Sequence, residues 1–200
     1  MGFKISSDDI KNARKVIKRH FLVEKNGERI FYDLCFCLCS PQTTFKSNRI
    51  VNARLIDRDF YHKSIPFEEL TEVCTEVRFK KNKARALYEA REIFTDIRTK
   101  MFDPTLSSQD KREWLVKNIR GFGMKTSSHF LRNLGHMDLA IIDTHILKYL
   151  NEKPPSSKKE YLRIEELFRR DSREKNLSPA ELDTIIWKIY SKTSWEDFIC

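Results

Sequence analysis

The sequence contains no apolar run of membrane-spanning length, and its first residues, MGFKISSDD, lack the apolar core of a signal peptide. It also contains no four-cysteine cluster with ligand spacing, which argues against an iron–sulfur centre. Its five cysteines are odd in number and show no paired spacing, so they favour a reducing compartment over a disulfide framework. These absences predict a cytoplasmic protein with no membrane segment and no metal site.

The spacing Cys35-x-Cys37-x-Cys39 looks like a metal site at first sight. The three cysteines lie in FYDLCFCLCS, an apolar segment in which cysteine behaves as a small hydrophobic residue. Metal ligation stays an alternative, but the apolar surroundings favour packing. We therefore expect the three thiols to be buried.

No stretch of useful length alternates polar and apolar residues at the period of a β-strand, and no internal repeat is present. Apolar residues instead recur at helical spacing, and Ser, Thr and Asp residues stand where helix N-caps are expected. The predicted fold class is all-α. The expected helices cover residues 6 or 7 to about 21, 29–39, 43 or 44 to about 56, 67–76, one long helix from the basic run at 78–85 to about 102, 107 or 108 to 119, 124–135, 143–150, 157–174 and 179–191.

Positive charge is in excess, with 38 Lys and Arg residues against 29 Asp and Glu residues and a formal net charge of +9. Such a balance favours a polyanionic partner, most simply a nucleic acid, although an unspecialised basic protein is an alternative. The densest basic run is Arg78-Phe79-Lys80-Lys81-Asn82-Lys83-Ala84-Arg85, which has an aromatic ring inside it. This composition suits contacts with phosphate groups.

Residues 115–143 are the stretch around which the predicted fold is organised. They read LVKNIRGFGMKTSSHFLRNLGHMDLAIID, in which two apolar-periodic helices flank a short turn at residues 120–123. Gly121 and Gly123 supply the positive-φ freedom that a short turn needs, and they leave backbone N–H groups uncovered at a helix N-terminus. A DNA phosphate could bind there, as in a helix-hairpin-helix motif. Many glycine turns join helices without binding a ligand, so the turn alone does not decide between the two interpretations.

Several stretches together resemble the helix-hairpin-helix DNA glycosylase superfamily, the fold shared with endonuclease III. They are LCSPQTT at residues 38–44, VRFKKNKARAL at 77–87, GFGMKTSSHFLRNLG at 121–135 followed by LAIIDTH at 139–145, and ELDTIIW at 181–187. The last stretch looks most like the archaeal-type branch of the 8-oxoguanine DNA glycosylase/AP lyases, which lacks an iron–sulfur cluster. The resemblance covers most of the chain, and Lys125 with Asp143 is its most specific part.

The resemblance implies two helical lobes with an active-site cleft between them. One lobe, a six-helix lobe at residues 41–135, would carry the helix-hairpin-helix, and residues 1–40 with 136–200 would form the other. Lys125 and Asp143 would then belong to opposite walls of the cleft. The implied partner is double-stranded DNA with an oxidised base or an abasic site, and no cofactor is needed. We expect a monomer that associates with the nucleoid through DNA.

The chemistry of base excision gives Lys125 and Asp143 catalytic roles. The sugar becomes cationic as the base leaves, and the Asp143 carboxylate would stabilise that charge. Lys125 would then attack C1′, for which its amine must be neutral. The positive end of a helix dipole and partial burial in the cleft both disfavour the ammonium form. The resulting imine permits β-elimination of the 3′ phosphate. An ordinary surface lysine and a simple N-cap are the structural alternatives, and the cap and catalytic roles of Asp143 are compatible.

An extruded base needs a pocket, and stacking on an aromatic ring is worth about 1–3 kcal/mol per base. Trp187 is the expected platform because it lies off the core stripe of the last long helix, one turn after Asp183, whose carboxylate would accept the edge donors of a purine. Packing of Trp187 on a neighbouring lobe is the alternative. Gln42 would fill the gap left by the extruded nucleotide or read a base, or it would only cap a helix. The predicted contacts with DNA phosphates are Gly121, Gly123, Lys80 and Lys81.

Three functions are compatible with these residues. The first is an 8-oxoguanine DNA glycosylase/AP lyase, the second an oxidised-pyrimidine glycosylase of the endonuclease III type, and the third a non-catalytic helix-hairpin-helix DNA-binding module. Lys125 with Asp143 favours an enzyme, because a binding module has no use for an amine that faces a carboxylate. Residues 191–200 run longer than the tail of the archaeal branch and end differently, which leaves the base specificity less defined than the lyase chemistry.

Overall fold

The structure, a computed structural model, describes residues 5–22, 26–191 and 194–195. Within these ranges the chain is all-α and has no β-strand, as predicted. The helices in chain order are α1 (Ser7–Leu22), α2 (Gly27–Cys39), α3 (Phe45–Asp57), α4 (Phe67–Val73), α5 (Lys80–Glu92), α6 (Phe94–Met101), α7 (Ser108–Asn118), α8 (Met124–Asn133), α9 (Thr144–Leu150), α10 (Lys158–Glu174) and α11 (Pro179–Ser191). A 3-10 turn, Cys74–Glu76, follows α4 directly. None of these helices has the length and apolar character that crossing a bilayer requires. Most of the tail at residues 192–200 lies outside the described residues, so the structure does not address the predicted difference in its ending.

The prediction of one long helix after the basic run is wrong, because the structure has two helices there, α5 and α6. The break is at Ile93, whose φ of −104° and ψ of 14° lie outside the helical region. The next residue, Phe94, packs its ring on Phe31 with centroids 5.0 Å apart. The apolar spacing of Leu87, Ala90, Phe94 and Ile97 continues across the break, so periodicity alone predicts one helix.

The chain divides into two compact units. The terminal unit consists of Met1–Glu24 and Leu131–Cys200, and the central unit is Lys25–Phe130. The lobe boundaries expected at residues 41 and 135 differ from this division. α2 belongs to the central unit because it packs against α3 and α5, and the second boundary falls inside α8.

α2 forms the apolar centre of the central unit. Asn26 caps its N-terminus by accepting a hydrogen bond from the Arg29 N–H group. Phe31 is buried and makes ring contacts that include Phe60, Tyr61 and Phe94. The three cysteines of the C-x-C-x-C segment are free and at most 2% exposed, so the packing interpretation is confirmed.

α11 is the main packing element of the terminal unit, where it contacts α1, α9 and α10. Periodicity predicts a core stripe of Leu182, Ile185, Ile186, Ile189 and Tyr190 on this helix; the first three are fully buried and the last two are half-buried. Ser178 and Glu181 form the cap of α11. The N–H and hydroxyl groups of Ser178 donate to Glu181 Oε2 over 2.7 and 3.0 Å, and Arg14 of α1 donates to Glu181 Oε1 over 2.8 Å.

The Glu181 cap predicts a pH-dependent part of the stability. Burial raises the pKa of Glu181, but the hydrogen bonds from Ser178 and Arg14 outweigh it and hold the pKa below the ordinary value of 4.5. Because the folded state has the lower pKa, this stabilisation is present above about pH 4.5 and is lost as the pH falls through the lowered value. Glu181→Gln should therefore lower the free energy of unfolding by about 1 kcal/mol at pH 7. The deficit should shrink towards roughly pH 3.

Urea unfolding followed by far-ultraviolet circular dichroism measures this difference at both pH values. Glu166→Gln is the matched control, because Glu166 also pairs with an arginine, Arg173, but both side chains are more than 60% exposed. Its effect should be smaller, since exposed ion pairs contribute little. Equal deficits for the Glu181 and Glu166 variants at pH 7 would contradict the role given to the cap.

Candidate active site and nucleic-acid interface

The turn between α7 and α8 has the helix-hairpin-helix form, with its two glycines in different roles. Gly121 has a φ of +84°, which an L side chain rarely adopts. Gly123 does not have a positive φ, so the expectation that both glycines need this freedom was wrong for Gly123. An added Cβ at Gly123 would meet no atom within 4 Å. Gly123 therefore leaves the space in front of α8 open.

The N-terminus of α8 is an uncapped helix end. Its first helical hydrogen bond runs from the Ser127 N–H group to the Gly123 carbonyl over 3.0 Å. The N–H groups of the three residues before Ser127 thus precede the helical ladder, and Gly123 has no side chain that could cap them. An anion can bind to such a group of N–H donors at the positive end of the helix dipole.

Lys125 lies in this first turn of α8 and is exposed. Its ammonium forms no hydrogen bond or ion pair with the described residues. The expectation of partial burial in the free protein was therefore wrong, because the open turn leaves the side chain in solvent.

The rest of α8 is fixed in place although its first turn is open. Ser127, Ser128 and Phe130 are fully buried, and the Phe130 ring packs edge-on against Phe122 of the turn. Arg112 of α7 is 1% exposed and donates from Nη1 to the Ser128 hydroxyl over 3.1 Å. The backbone that carries Lys125 is thus tied to α7 by a buried hydrogen bond and to the turn by a contact between two aromatic rings.

Asp143 is the N-cap of α9, and only one of its oxygens serves this role. Oδ1 accepts hydrogen bonds from the N–H groups of His145 and Ile146 over 2.8 and 3.0 Å. No described residue donates to Oδ2. The carboxylate is half-buried, and α9 packs against α11, the helix that carries Asp183 and Trp187. The N-cap interpretation is confirmed, and a second oxygen is left for another partner.

Asp183 is buried and ion-paired. It is 4% exposed, and its Oδ2 accepts a hydrogen bond from Arg132 over 2.8 Å. The sequence predicts that the Asp183 carboxylate is available to the edge donors of a base. In the structure Arg132 already donates to one of its oxygens. Trp187, one turn later, is half-buried.

Gln42 is exposed at a loop of the central unit and has a φ of +53°. Thr44, and not Gln42, caps the following helix, because its side chain accepts the N–H group of Ser47. The helix-cap alternative for Gln42 is thus excluded. Gln42 thus has a left-handed backbone and an exposed polar side chain that does not cap the helix, so it is a candidate for contact with a bound ligand.

The basic run begins α5 and presents an exposed aromatic ring. Lys80 and Lys81 are exposed in its first turn, and Phe79, directly before them, is 56% exposed with a φ of +59°. Phe79 was part of the predicted basic run but not of the predicted site. Its left-handed backbone could not be inferred from sequence, since it depends on how α5 packs.

The structure places the predicted residues in two groups. Gln42, Lys80, Lys81, Gly121, Gly123 and Lys125 lie in the central unit, and Asp143, Asp183 and Trp187 lie in the terminal unit. The sequence analysis did not identify Arg132 as the partner of Asp183, nor Lys83 as a buried lysine bonded to the residues around Gln42. Lys83 differs from Lys80 and Lys81 in being 7% exposed, and no sequence feature distinguishes it from them.

The chain matches the family model described as 8-oxoguanine DNA glycosylase over residues 13–177. It is 36% identical over 192 residues to an 8-oxoguanine DNA glycosylase/AP lyase of Korarchaeum cryptofilum, with 88% of each chain covered. A relative with the same name from Fusobacterium nucleatum is 36% identical over 201 residues, which cover 92% of this chain and 90% of the relative.

Solved structures are similar as well. An 8-oxoguanine glycosylase/lyase of Methanocaldococcus jannaschii, solved in complex with a 15mer DNA containing 8-oxoguanine, matches with a TM-score of 0.79 and 32% identity, covering 93% of this chain and 91% of that chain. A trapped endonuclease III–DNA covalent intermediate matches with a TM-score of 0.57 and 17% identity, covering 96% and 90%, which shows a shared fold alone. The matched family model and these relatives establish that the chain belongs to the 8-oxoguanine DNA glycosylase family.

Proposed function

We propose that this protein excises 8-oxoguanine from duplex DNA and then cleaves the strand at the resulting abasic site through an imine on Lys125. The observation that carries the proposal is the exposed Lys125 amine in the open first turn of α8, which has no partner in the part of the chain that the structure describes. Family membership supplies the substrate class. The buried free thiols suit a reducing compartment, and we infer that the protein acts at the nucleoid in the cytoplasm.

Lys125 is the nucleophile of the proposed reaction. The glycosidic bond between C1′ and the base breaks, and its electron pair leaves with the base, which takes up a proton. The Lys125 nitrogen forms the new bond to C1′ and loses a proton, after which the C1′–O4′ bond opens to give the imine. Loss of a 2′ proton then allows the C3′–oxygen bond to break, which releases the 3′ phosphate.

The environment of Lys125 favours this attack when DNA is bound. An amine attacks only in its neutral form. Because Lys125 is exposed in the free protein, dehydration of the amine has to come from the bound duplex. Asp143 stabilises the cationic sugar through Oδ2, the oxygen that the cap leaves unused.

The DNA contacts follow from the exposed groups of both units. A phosphate binds at the N–H groups of α8 that Gly121 and Gly123 leave accessible, and Lys80 and Lys81 neutralise neighbouring phosphates. Trp187 stacks on the extruded base, while Asp183 contributes to its pocket together with Arg132. Gln42 occupies the gap in the duplex, and the exposed ring of Phe79 wedges beside it.

Substitution of the two catalytic residues tests the reaction. Lys125→Gln should abolish the borohydride-trapped adduct with an 8-oxoguanine duplex and slow strand cleavage on the order of a thousandfold or more, because the nucleophile is gone. Asp143→Asn should slow excision on the order of a hundredfold, since it removes the charge. Its thermal stability should change little, because Asn caps a helix about as well as Asp.

Single-turnover cleavage and gel-resolved adducts measure both effects. Duplexes with thymine glycol or with a preformed abasic site serve as comparison substrates. Preferential trapping with thymine glycol would assign an oxidised-pyrimidine activity instead. Binding of DNA without an adduct would leave only a DNA-binding module, and an adduct that persists in Lys125→Gln would refute the role of this lysine.

Substitution of the two turn glycines should have different effects, with Gly121→Ala lowering mainly stability and Gly123→Ala lowering mainly DNA affinity. Gly121→Ala should lower the free energy of unfolding by about 1–2 kcal/mol, because it forces a Cβ into the left-handed region. Gly123→Ala should destabilise the protein less, since its Cβ fits, but the methyl group would project in front of the phosphate-binding N–H groups. Chemical unfolding and fluorescence-anisotropy titration with duplex DNA measure the pair. Unchanged DNA affinity in Gly123→Ala would contradict the phosphate site.

A further inference from the structure

Lys83 is a buried lysine in a run of otherwise exposed basic residues. It is 7% exposed, whereas its neighbours Lys80 and Lys81 are exposed. Its ammonium donates three hydrogen bonds, to the Cys39 carbonyl over 2.7 Å, the Pro41 carbonyl over 2.9 Å and the Thr43 hydroxyl over 2.6 Å. All three donors of the ammonium are therefore used. Cys39 is the last residue of α2, and Pro41 and Thr43 belong to the loop that follows it.

The loop that Lys83 holds is the one that carries Gln42. The acceptors lie on both sides of Gln42, which is exposed and has a φ of +53°. A left-handed conformation at a non-glycine residue persists only when the surroundings hold it. The ammonium supplies such a constraint, because it binds the Pro41 backbone carbonyl and the Thr43 hydroxyl, on either side of Gln42, at once.

A purely apolar packing role does not explain a lysine at this site. Burial lowers the pKa of Lys83 below its ordinary range, so the charged form is held at the expense of hydration. An apolar side chain would fill the same space without that penalty. What it could not do is bond the oxygens of Cys39, Pro41 and Thr43 in a fixed arrangement.

We propose that Lys83 is a positioning residue that holds Gln42 in the arrangement needed to extrude the damaged nucleotide. This inference rests on the proposed function. Lys83 does not contact the reacting atoms and acts through the Gln42 loop. Loss of its ammonium slows extrusion of a stacked base and leaves the chemistry at Lys125 intact.

The test compares two substrates in single-turnover reactions. Lys83→Met should slow cleavage of a duplex with a paired 8-oxoguanine about tenfold or more, since small displacements of a positioned group have large rate effects. Cleavage at a preformed abasic site, where no base has to be unstacked, should change less than about twofold. The active enzyme fraction is normalised by borohydride trapping at the abasic site.

Lys111→Met is the matched control, because Lys111 is another buried lysine of the central unit, 6% exposed and outside the loop. Any loss of rate it causes should be the same on both substrates. If Lys83→Met also slows both substrates equally, its role is only structural and the proposal is overturned. Thr43→Val removes one acceptor while retaining Lys83. It should also slow cleavage of the 8-oxoguanine duplex more than cleavage at the abasic site, but by a smaller factor than Lys83→Met. If Lys83→Met does not fold, Thr43→Val replaces it in the test.

A second readout separates this inference from the proposed chemistry. 2-Aminopurine placed next to the lesion reports unstacking by its fluorescence, whether or not the strand is cleaved. Lys83→Met should reduce the fluorescence rise, and the double variant with Gln42→Ala should lose no more than the stronger single variant, because both act on one step. An undiminished rise or additive losses would overturn the role of Lys83. Failure of the unsubstituted protein to cleave would overturn the proposed chemistry alone.

Discussion

The first turn of α8 has to stay open to an anion while the rest of the helix is held rigid. Gly123 satisfies the first requirement because it offers no capping side chain and leaves empty space before the helix. Ser128 and Phe130 satisfy the second, since both are fully buried and Ser128 is bonded to the buried guanidinium of Arg112. Lys125 therefore projects from a fixed backbone at the positive end of a helix, and none of the described residues is a hydrogen-bond or ion-pair partner of its amine. The DNA-binding and nucleophilic roles both depend on this one exposed helix end.

Buried charges in this protein fix the geometry of segments and do not simply add stability. The buried Arg112 holds α8, the buried Lys83 holds the Gln42 loop, and the buried Asp183 of α11 is paired with the half-buried Arg132 of α8. Taking a charge out of water is unfavourable, and hydrogen bonds recover that free energy only when the partners are well placed. Each of these three groups bonds to an element that carries a predicted site residue. The buried charges are thus found beside the elements that have to hold a site residue in place.

Asp143 shows how one carboxylate can serve both the fold and the reaction. Oδ1 accepts two backbone N–H groups and begins α9, and Oδ2 has no donor among the described residues. A side chain fixed by one oxygen presents the other in a defined direction, which is the preorganisation that electrostatic catalysis requires. The structural and catalytic interpretations of this residue support one another.

The sequence by itself determined the helical class, most helix ends and the burial of the cysteines. These features depend on neighbouring residues, because caps and apolar periodicity act over three or four positions. The candidate pair Lys125 and Asp143 came from the resemblance of their surroundings to a known family and stays a prediction. Only the tertiary structure decided that α2 joins the central unit, that Asp183 pairs with Arg132, and that Lys83 is buried while Lys80 and Lys81 are exposed. The partners in these cases lie about forty to fifty positions apart in the chain. Local patterns carry no information about such pairs, because the burial and pairing of a charge are properties of the packed chain.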